Sequence, residues 1–356
     1  MVRFQFLPTR HGARIAEILL DTPGTLNAQN LAMVREIRTQ LELWRDDASV
    51  VAVLMRGVGE KAFCAGGDIK ALYYAMTEPG RITEADDFFA EEYALCRELH
   101  RYPKPVLAWG NGVVMGGGWG LLAGASHRVV TEISVLAMPE IGIGLFPDVG
   151  ASDWLGRLKL NVGRMLFLTA SRLNAADALA AGAADWALPA TSFEVLLQGL
   201  DELPWTGHGQ TDAAMLSQLL EALSSALPCP LPPAQWEPVQ DLVAELVAGD
   251  DLLQITRRIA ACQTDNVWIT QAQKQMATGS PNSIVLSWTL AQRAQGMDYD
   301  AVVAMETLAA RHSVRHGDFS EGVRARLIDR DNQPRWQDAT VEEALARGVT
   351  RWFDAV

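Results

Sequence analysis

Hydrophobic and polar positions alternate in two distinct regimes along this chain. RFQFL and ARIAEILLD, flanking Thr9 to Gly12, read as paired strands. Residues 29–46 place Leu31, Val34, Ile37, Leu41 and Trp44 at helical spacing. VVAVLMRG (50–57) is a continuous apolar run, the pattern of a strand covered on both faces. Helical spacing returns over 68–77 and 83–100, PVLAWG (105–110) is a second buried strand, and HRVVTE and SVLAM are two more short strands. Strand and helix in turn predict an α/β fold with crossovers. From about residue 150 the pattern becomes helical, near 160–169 and 174–182. LPCPLPPAQWEP (227–238) interrupts it, and helices resume over 239–313. The expected organisation is an α/β core over 1–195 and a mostly helical C-terminal region over 196–356, with no internal repeat.

Composition narrows the function classes. With 356 residues, 49% of them hydrophobic, the chain is globular and large enough for one large domain or two. A net charge of −13 disfavours nucleic acid and anionic membranes as partners, though a phosphorylated ligand needs only local positive charge. No apolar run reaches the ~20 residues that span a bilayer. MVRFQFLPTRHGARIAEILLD lacks a signal-peptide pattern, and Cys64, Cys96, Cys229 and Cys262 have no ligand spacing. The expectation is a cytoplasmic protein with reduced thiols and no metal.

Three stretches carry chemistry. In KAFCAGGDIKAL (61–72) a buried strand leads to a Gly pair, and Asp68 opens a helix. One reading is a capped strand-to-helix turn. The other is that the Gly67 N–H is a fixed donor in a cleft. NGVVMGGGWGL (111–121) places Gly116, Gly117 and Gly118 at a helix start, where free N–H groups and the dipole favour developing negative charge. One amide from each loop makes an oxyanion hole, whose donors are worth ~3 kcal/mol each in a transition state. Gly118-Trp119-Gly120-Leu121-Leu122-Ala123 also matches a dinucleotide fingerprint, with Glu140 20 residues on from Gly120. Its depth in the chain, the Gly-rich loop after the acid and the unexplained AGGD count against it. In MPEIGIGLFPDVG (138–150), Glu140 and Asp148 bracket an apolar, Gly-punctuated loop. Desolvation there raises carboxyl pKa values toward neutrality, which suits proton transfer; a solvated Glu and a turn-forming Asp are the alternative. His312 and His316 lack the Glu of a zinc-protease motif, no G-x-S-x-G elbow occurs, nothing near Cys64 activates it, and 321–336 reads as an exposed charged segment.

AFCAGGDIK, NGVVMGGGWGL and AMPEIGIGLFPDVG, in that order, together with TLNAQNLAMV (25–34), resemble the enoyl-CoA hydratase/isomerase (crotonase) superfamily. The resemblance implies an α/β spiral of ββα units, here with a mostly helical C-terminal part. It also implies an acyl-CoA thioester as small-molecule substrate, no nucleic-acid or membrane partner, and a homo-oligomer. Coenzyme A enters as part of the substrate, and no separate cofactor is implied. The matching amides are those of Gly67 and Gly117, with Gly66, Gly116 and Asp68 beside them on the substrate. Where hydratases carry a first catalytic Glu, this chain has Gly120; the second matches Glu140.

GGDIKAL, EEYAL, SPNS (280–283) and DFSEGVRARLIDRDNQPRW (318–336) extend the similarity to the 3-hydroxyisobutyryl-CoA hydrolase group over nearly the whole chain. In that group, substrate contacts map onto Glu92, Gly117, Glu140 and Asp148. The implied activity is hydrolysis of a short branched 3-hydroxyacyl-CoA in valine breakdown. Glu140 acts as nucleophile or general base, and Asp148 orients water or the 3-hydroxyl. Glu92 shapes the polar end of the pocket. Lys61 and Lys70 are candidates for CoA phosphates. After DVG the sequence ASDWL departs from the group. An enoyl-CoA hydratase or isomerase, and a CoA-binding protein without turnover, are the alternatives.

Overall fold

A computed structural model describes residues 1–353, without the side chains of Thr350 and Arg351. In chain order the first elements are β1 (Val2–Pro8), β2 (Arg14–Leu20), α1 (Leu31–Asp46), β3 (Val50–Gly57), β4 (Ala62–Cys64), α2 (Ile69–Thr77) and α3 (Ile82–His100). They are followed by β5 (Val106–Gly110), β6 (Val113–Met115), α4 (Gly117–Gly124), β7 (His127–Val130) and β8 (Val135–Ala137). Next come α5 (Ala151–Trp154), α6 (Val162–Thr169), β9 (Arg172–Asn174), α7 (Ala175–Ala181), β10 (Trp186–Ala187), α8 (Phe193–Glu202) and α9 (Gly209–Ala226). The remainder is helical: α10 (Gln240–Leu246), α11 (Leu252–Ala261), α12 (Val267–Thr278), α13 (Pro281–Arg293), α14 (Tyr299–His316), α15 (Phe319–Val323) and α16 (Val341–Arg347).

The strands form a six-stranded sheet, β1-β2-β3-β5-β7-β10, and a four-stranded sheet, β4-β6-β8-β9. β1 and β2 make an antiparallel hairpin, and the other pairs of the long sheet are parallel. Each turn of chain therefore adds one strand to the long sheet and the next to the short one: β3 then β4, β5 then β6, β7 then β8. This is the expected spiral. Parallel neighbours need crossovers, and α1 and α3 supply the first two. Local signals support these elements. Asn30 and Asp68 cap α1 and α2 with side-chain oxygens that accept from Met33 N and Ala71 N. The apolar stripe of α1 buries Val34, Ile37, Leu41 and Trp44.

By compactness the chain divides into two units. Unit 1 comprises residues 1–67, 95–136 and 173–234; unit 2 comprises 68–94, 137–172 and 235–356. These units do not follow the ranges 1–195 and 196–356. In unit 1, Leu196, Leu200, Leu216 and Leu220 of α8 and α9 share one core with Ile15, Leu54, Leu107 and Val129 of the long sheet. The two helices after residue 192 thus bury their apolar faces against strands from the start of the chain.

The glycine loops of unit 1 show why their composition is constrained. Gly66 has φ +97°, and a Cβ there would lie 3.1 Å from Met115 O and 3.3 Å from Gly117 N. A Cβ on Gly118 would lie 2.2 Å from Cys64 O, inside any tolerable contact. The AGGD and GGG loops touch backbone to backbone, so the two glycines exclude side chains from the seam. Gly118→Ala is therefore expected to lower the unfolding free energy toward the upper end of ~1–3 kcal/mol, measured by urea denaturation. Gly24→Ala, where a Cβ meets nothing within 4 Å, is expected to stay within about 0.5 kcal/mol.

Candidate active site

The first group of predicted residues lies in the glycine loops. β4 ends at Cys64, and the chain runs through Gly66 to Gly67, which bridges Gln29 in parallel; Gln29 N donates to Gly66 O at 2.8 Å. Gly116, with φ 52°, turns the chain into α4, whose first residue is Gly117. The N–H of a first helical residue has no acceptor within its own helix, so Gly117 presents a donor at the positive end of α4. Gly120 is buried one turn on. Lys61 is exposed.

The second group is a cluster of acids inside unit 2. Glu140 opens a short 3₁₀ turn (Glu140–Ile143) after Pro139. Asp148 follows the apolar stretch Leu145-Phe146, and Glu92 sits on α3. Two further members, Tyr93 on α3 and Glu306 on α14, were not singled out from sequence. None of the five exceeds 5% exposure. The Tyr93 hydroxyl donates to Asp148 Oδ2 at 2.7 Å. Glu306 accepts from the amides of Gly150 (2.6 Å) and Ser152 (2.9 Å). Glu140 Oε2 is buried and meets no hydrogen-bond partner among the described residues. The solvated-Glu alternative therefore does not hold; Asp148 does open a turn, Ala151 N donating to its carbonyl at 2.9 Å, but its carboxyl is buried.

Burial dominates the electrostatics. It pushes Glu140 and Glu92 well above the usual carboxyl range, and the Asp148 charge adds to the shift of each. Burial lifts Asp148 to about 7, with the Tyr93 hydrogen bond pulling the other way. Glu306 is raised to about 8 by burial, against hydrogen bonds from Ser152 and Gly150. Burial and the mutual repulsion of Glu92, Glu140 and Asp148 thus favour protonated carboxyls near neutral pH. A raised carboxyl near neutrality is suited to both accepting and returning a proton.

The loop carrying Glu140 is fastened by the late chain segments that stood out in the sequence. Ser280, first residue of SPNS, donates its N–H to Ile141 O at 2.9 Å and its hydroxyl to Asp318 Oδ2 at 2.6 Å. Asp318 also accepts from Gln337 N at 2.9 Å. Arg326 Nε donates to Gly142 O at 3.4 Å, and a Cβ on Gly322 would lie 2.2 Å from Ile143 O. DFSEGVRARLIDRDNQPRW is thus a brace under the loop rather than a wholly exposed charged segment. Asp68 uses a carboxylate oxygen to cap α2, accepting from Ala71 N at 3.1 Å, and Lys70 is exposed.

A family model described as enoyl-CoA hydratase/isomerase matches residues 15–353. The chain belongs to the enoyl-CoA hydratase/isomerase family. It is 35% identical over 341 residues to the mitochondrial 3-hydroxyisobutyryl-CoA hydrolase of Xenopus laevis, covering 95% of this chain and 86% of that protein. To the Homo sapiens protein of the same name it is 31% identical over 339 residues, with the same coverage. Among solved structures it is similar to an enoyl-CoA hydratase from Rhodobacter sphaeroides 2.4.1. The TM-score is 0.82 at 31% identity, covering 98% of this chain and 96% of that one. It is also similar to a carnitinyl-CoA dehydratase from Mycobacterium thermoresistibile, with TM-score 0.84 at 29% identity over 99% and 96% of the two chains. The fold of the enoyl-CoA hydratase/isomerase family thus extends through the helical C-terminal part. No helix among the described residues is long and apolar enough to cross a membrane, and no described cluster of His, Cys, Asp or Glu is arranged for a metal ion. The curated relatives are named mitochondrial, so the expectation of a cytoplasmic location finds no support in them.

The buried acids give stability a distinctive pH dependence. Between the usual carboxyl range near 4 and about 7, folded Asp148 keeps a proton that the unfolded chain has lost. Unfolding then releases a proton, so stability falls as pH rises through that window and levels off above it. Glu306 extends the decline to about 8. Urea midpoints of the wild-type protein are expected to fall between pH 5 and 7. Asp148→Asn is expected to fall less steeply, by up to ~1.4 kcal/mol per pH unit.

Proposed function

We propose that this protein hydrolyses a short branched 3-hydroxyacyl-CoA thioester, 3-hydroxyisobutyryl-CoA being the substrate tested first, as a step of valine breakdown. The observation that carries the reading is the buried Glu140 with its unpartnered Oε2, grouped with Asp148 and Glu92, in a chain whose relatives over 95% of its length are named 3-hydroxyisobutyryl-CoA hydrolases.

Water and thioester are the only reactants. The Gly67 and Gly117 amides take the carbonyl oxygen and stabilise the charge that develops on it. Glu140 either removes a proton from the attacking water or attacks the carbonyl itself, forming an anhydride that water then opens. In both courses the C–S bond breaks and the thiolate leaves with a proton returned from the cluster. The products are the 3-hydroxy acid and free coenzyme A, which enters as part of the substrate. Asp148 orients the water or the 3-hydroxyl, and Glu92 forms the polar end of the acyl pocket. Lys61, Lys70 and the Gly66, Asp68 and Gly116 backbone are assigned to the CoA side.

Gly120 favours hydrolysis over hydration. Adding water across a double bond calls for two carboxylates about one water, and the position that carries the first in hydratases has no side chain here. The test is a paired assay on purified protein. Thiol release from 3-hydroxyisobutyryl-CoA is expected, with no loss of enoyl absorbance from crotonyl-CoA. Glu140→Gln is expected to lower kcat for thiol release by about 10²–10⁴-fold, the range for losing a general base. Enoyl loss without thiol release would instead assign hydratase activity. Tight CoA binding without turnover of any acyl-CoA would assign a binding protein.

A further inference from the structure

Within the acid cluster, the proposed chemistry leaves Glu306 without a role. Glu306, on α14, is fully buried and directs both carboxylate oxygens at the backbone two and four residues past Asp148, accepting from Gly150 N and Ser152 N. The backbone it grips is unusual. Val149 has φ 56° and Gly150 has φ 83°, so two consecutive residues are left-handed and the first is β-branched. A β-branched side chain avoids that region, so the turn holds only where its surroundings over-determine it.

Those surroundings converge on the three residues Asp148 to Gly150. Tyr299 fills the space that a Cβ on Gly150 would need, its oxygen 2.3 Å from that point. Trp154 Nε1 donates to Val149 O at 3.3 Å, and Ala151 N donates to Asp148 O at 2.9 Å. Tyr93 holds the Asp148 carboxylate from its other end. A Leu or Met at 306 would fill the volume but leave two buried amides without acceptors. A carboxylate with two oxygens matches two adjacent N–H groups.

We propose that Glu306 is a positioning residue for Asp148: its two carboxyl oxygens clamp the Gly150 and Ser152 amides and so hold the left-handed turn that aims Asp148 at the reacting groups. This rests on the hydrolase reading above. Glu306 touches no reacting atom. Glu306→Gln keeps the volume but replaces one acceptor oxygen with a donor, so one amide is released and the turn relaxes.

The experiment measures kcat and KM for thiol release from 3-hydroxyisobutyryl-CoA in the wild type, Glu306→Gln, Asp148→Asn, the double variant and Val149→Gly/Glu306→Gln, with urea midpoints for each. Glu306→Gln is expected to lose about 10²-fold in kcat, as for a catalytic group displaced by an ångström, with KM within about threefold. In the Asp148→Asn background the same change is expected to cost less than about threefold, because the group it positions is already gone. Val149→Gly, which lets the turn form without the clamp, is expected to restore most of the Glu306→Gln loss. A merely structural acid would lower the urea midpoint, and its losses in kcat would multiply with those of Asp148→Asn. Multiplying losses, or wild-type kcat in folded Glu306→Gln, overturns the proposal. Should Glu306→Gln fail to fold, Glu306→Asp draws the two oxygens back by one methylene; about a tenfold fall in kcat supports the clamp, and wild-type kcat overturns it. If the wild type itself releases no thiol, the hydrolase reading falls, and this is seen before any variant is made. Turnover by the wild type with unaltered Glu306→Gln sinks the clamp alone.

Discussion

Removing a carboxylate from water costs several kcal/mol unless hydrogen bonds or a proton compensate. Unit 2 does this at Glu92, Glu140, Asp148 and Glu306, all at 5% exposure or less. Its local architecture answers that cost. Asp148 takes a phenolic hydrogen bond, Glu306 takes two backbone amides, and Glu140 keeps one oxygen without a partner among the described residues. The group left least satisfied is the one assigned to the chemistry.

Unit 1 answers a different constraint with different means. The donors proposed for it are backbone amides, which carry no net charge and incur no desolvation penalty of that size. What they need is placement, and the AGGD and GGG loops achieve it by removing Cβ atoms where the chains meet. Alanine substitution alone cannot probe such donors, so the seam glycines report on them through packing.

Much of this was legible in local sequence. β3 matches the apolar run 50–57 to the residue, and the α1 stripe is buried as its spacing implies. Glu140 and Asp148 stood out because a charged residue in an apolar loop is anomalous wherever it occurs. Glu306 did not. In AVVAMETLAA it reads as one polar position on an amphipathic helix, and its amide partners lie more than 150 residues away. Tyr93 was hidden in the same way, its hydroxyl being paired across 55 residues. SPNS and the 318–336 segment were visible as motifs, but their work as a brace depends on contacts no periodicity encodes. The two compact units escaped for the same reason: each is assembled from three separated stretches, and adjacency along the chain carries no trace of it.

The brace under the Glu140 loop also orders events in time. Ile141, Gly142 and Ile143 turn their carbonyls toward Ser280, Arg326 and Gly322, and Ser280 in turn leans on Asp318. The ribosome delivers the loop well before any of its supports. While residues 144 to 279 are being made, the loop lacks the Ser280, Gly322 and Arg326 contacts that fasten it. The full set of supports for the loop is therefore complete only once residues 318–326 have been made. A message truncated just before the codons for 318–326 would yield a chain that has every acid of the cluster but lacks the Asp318, Gly322 and Arg326 contacts that steady the Glu140 loop.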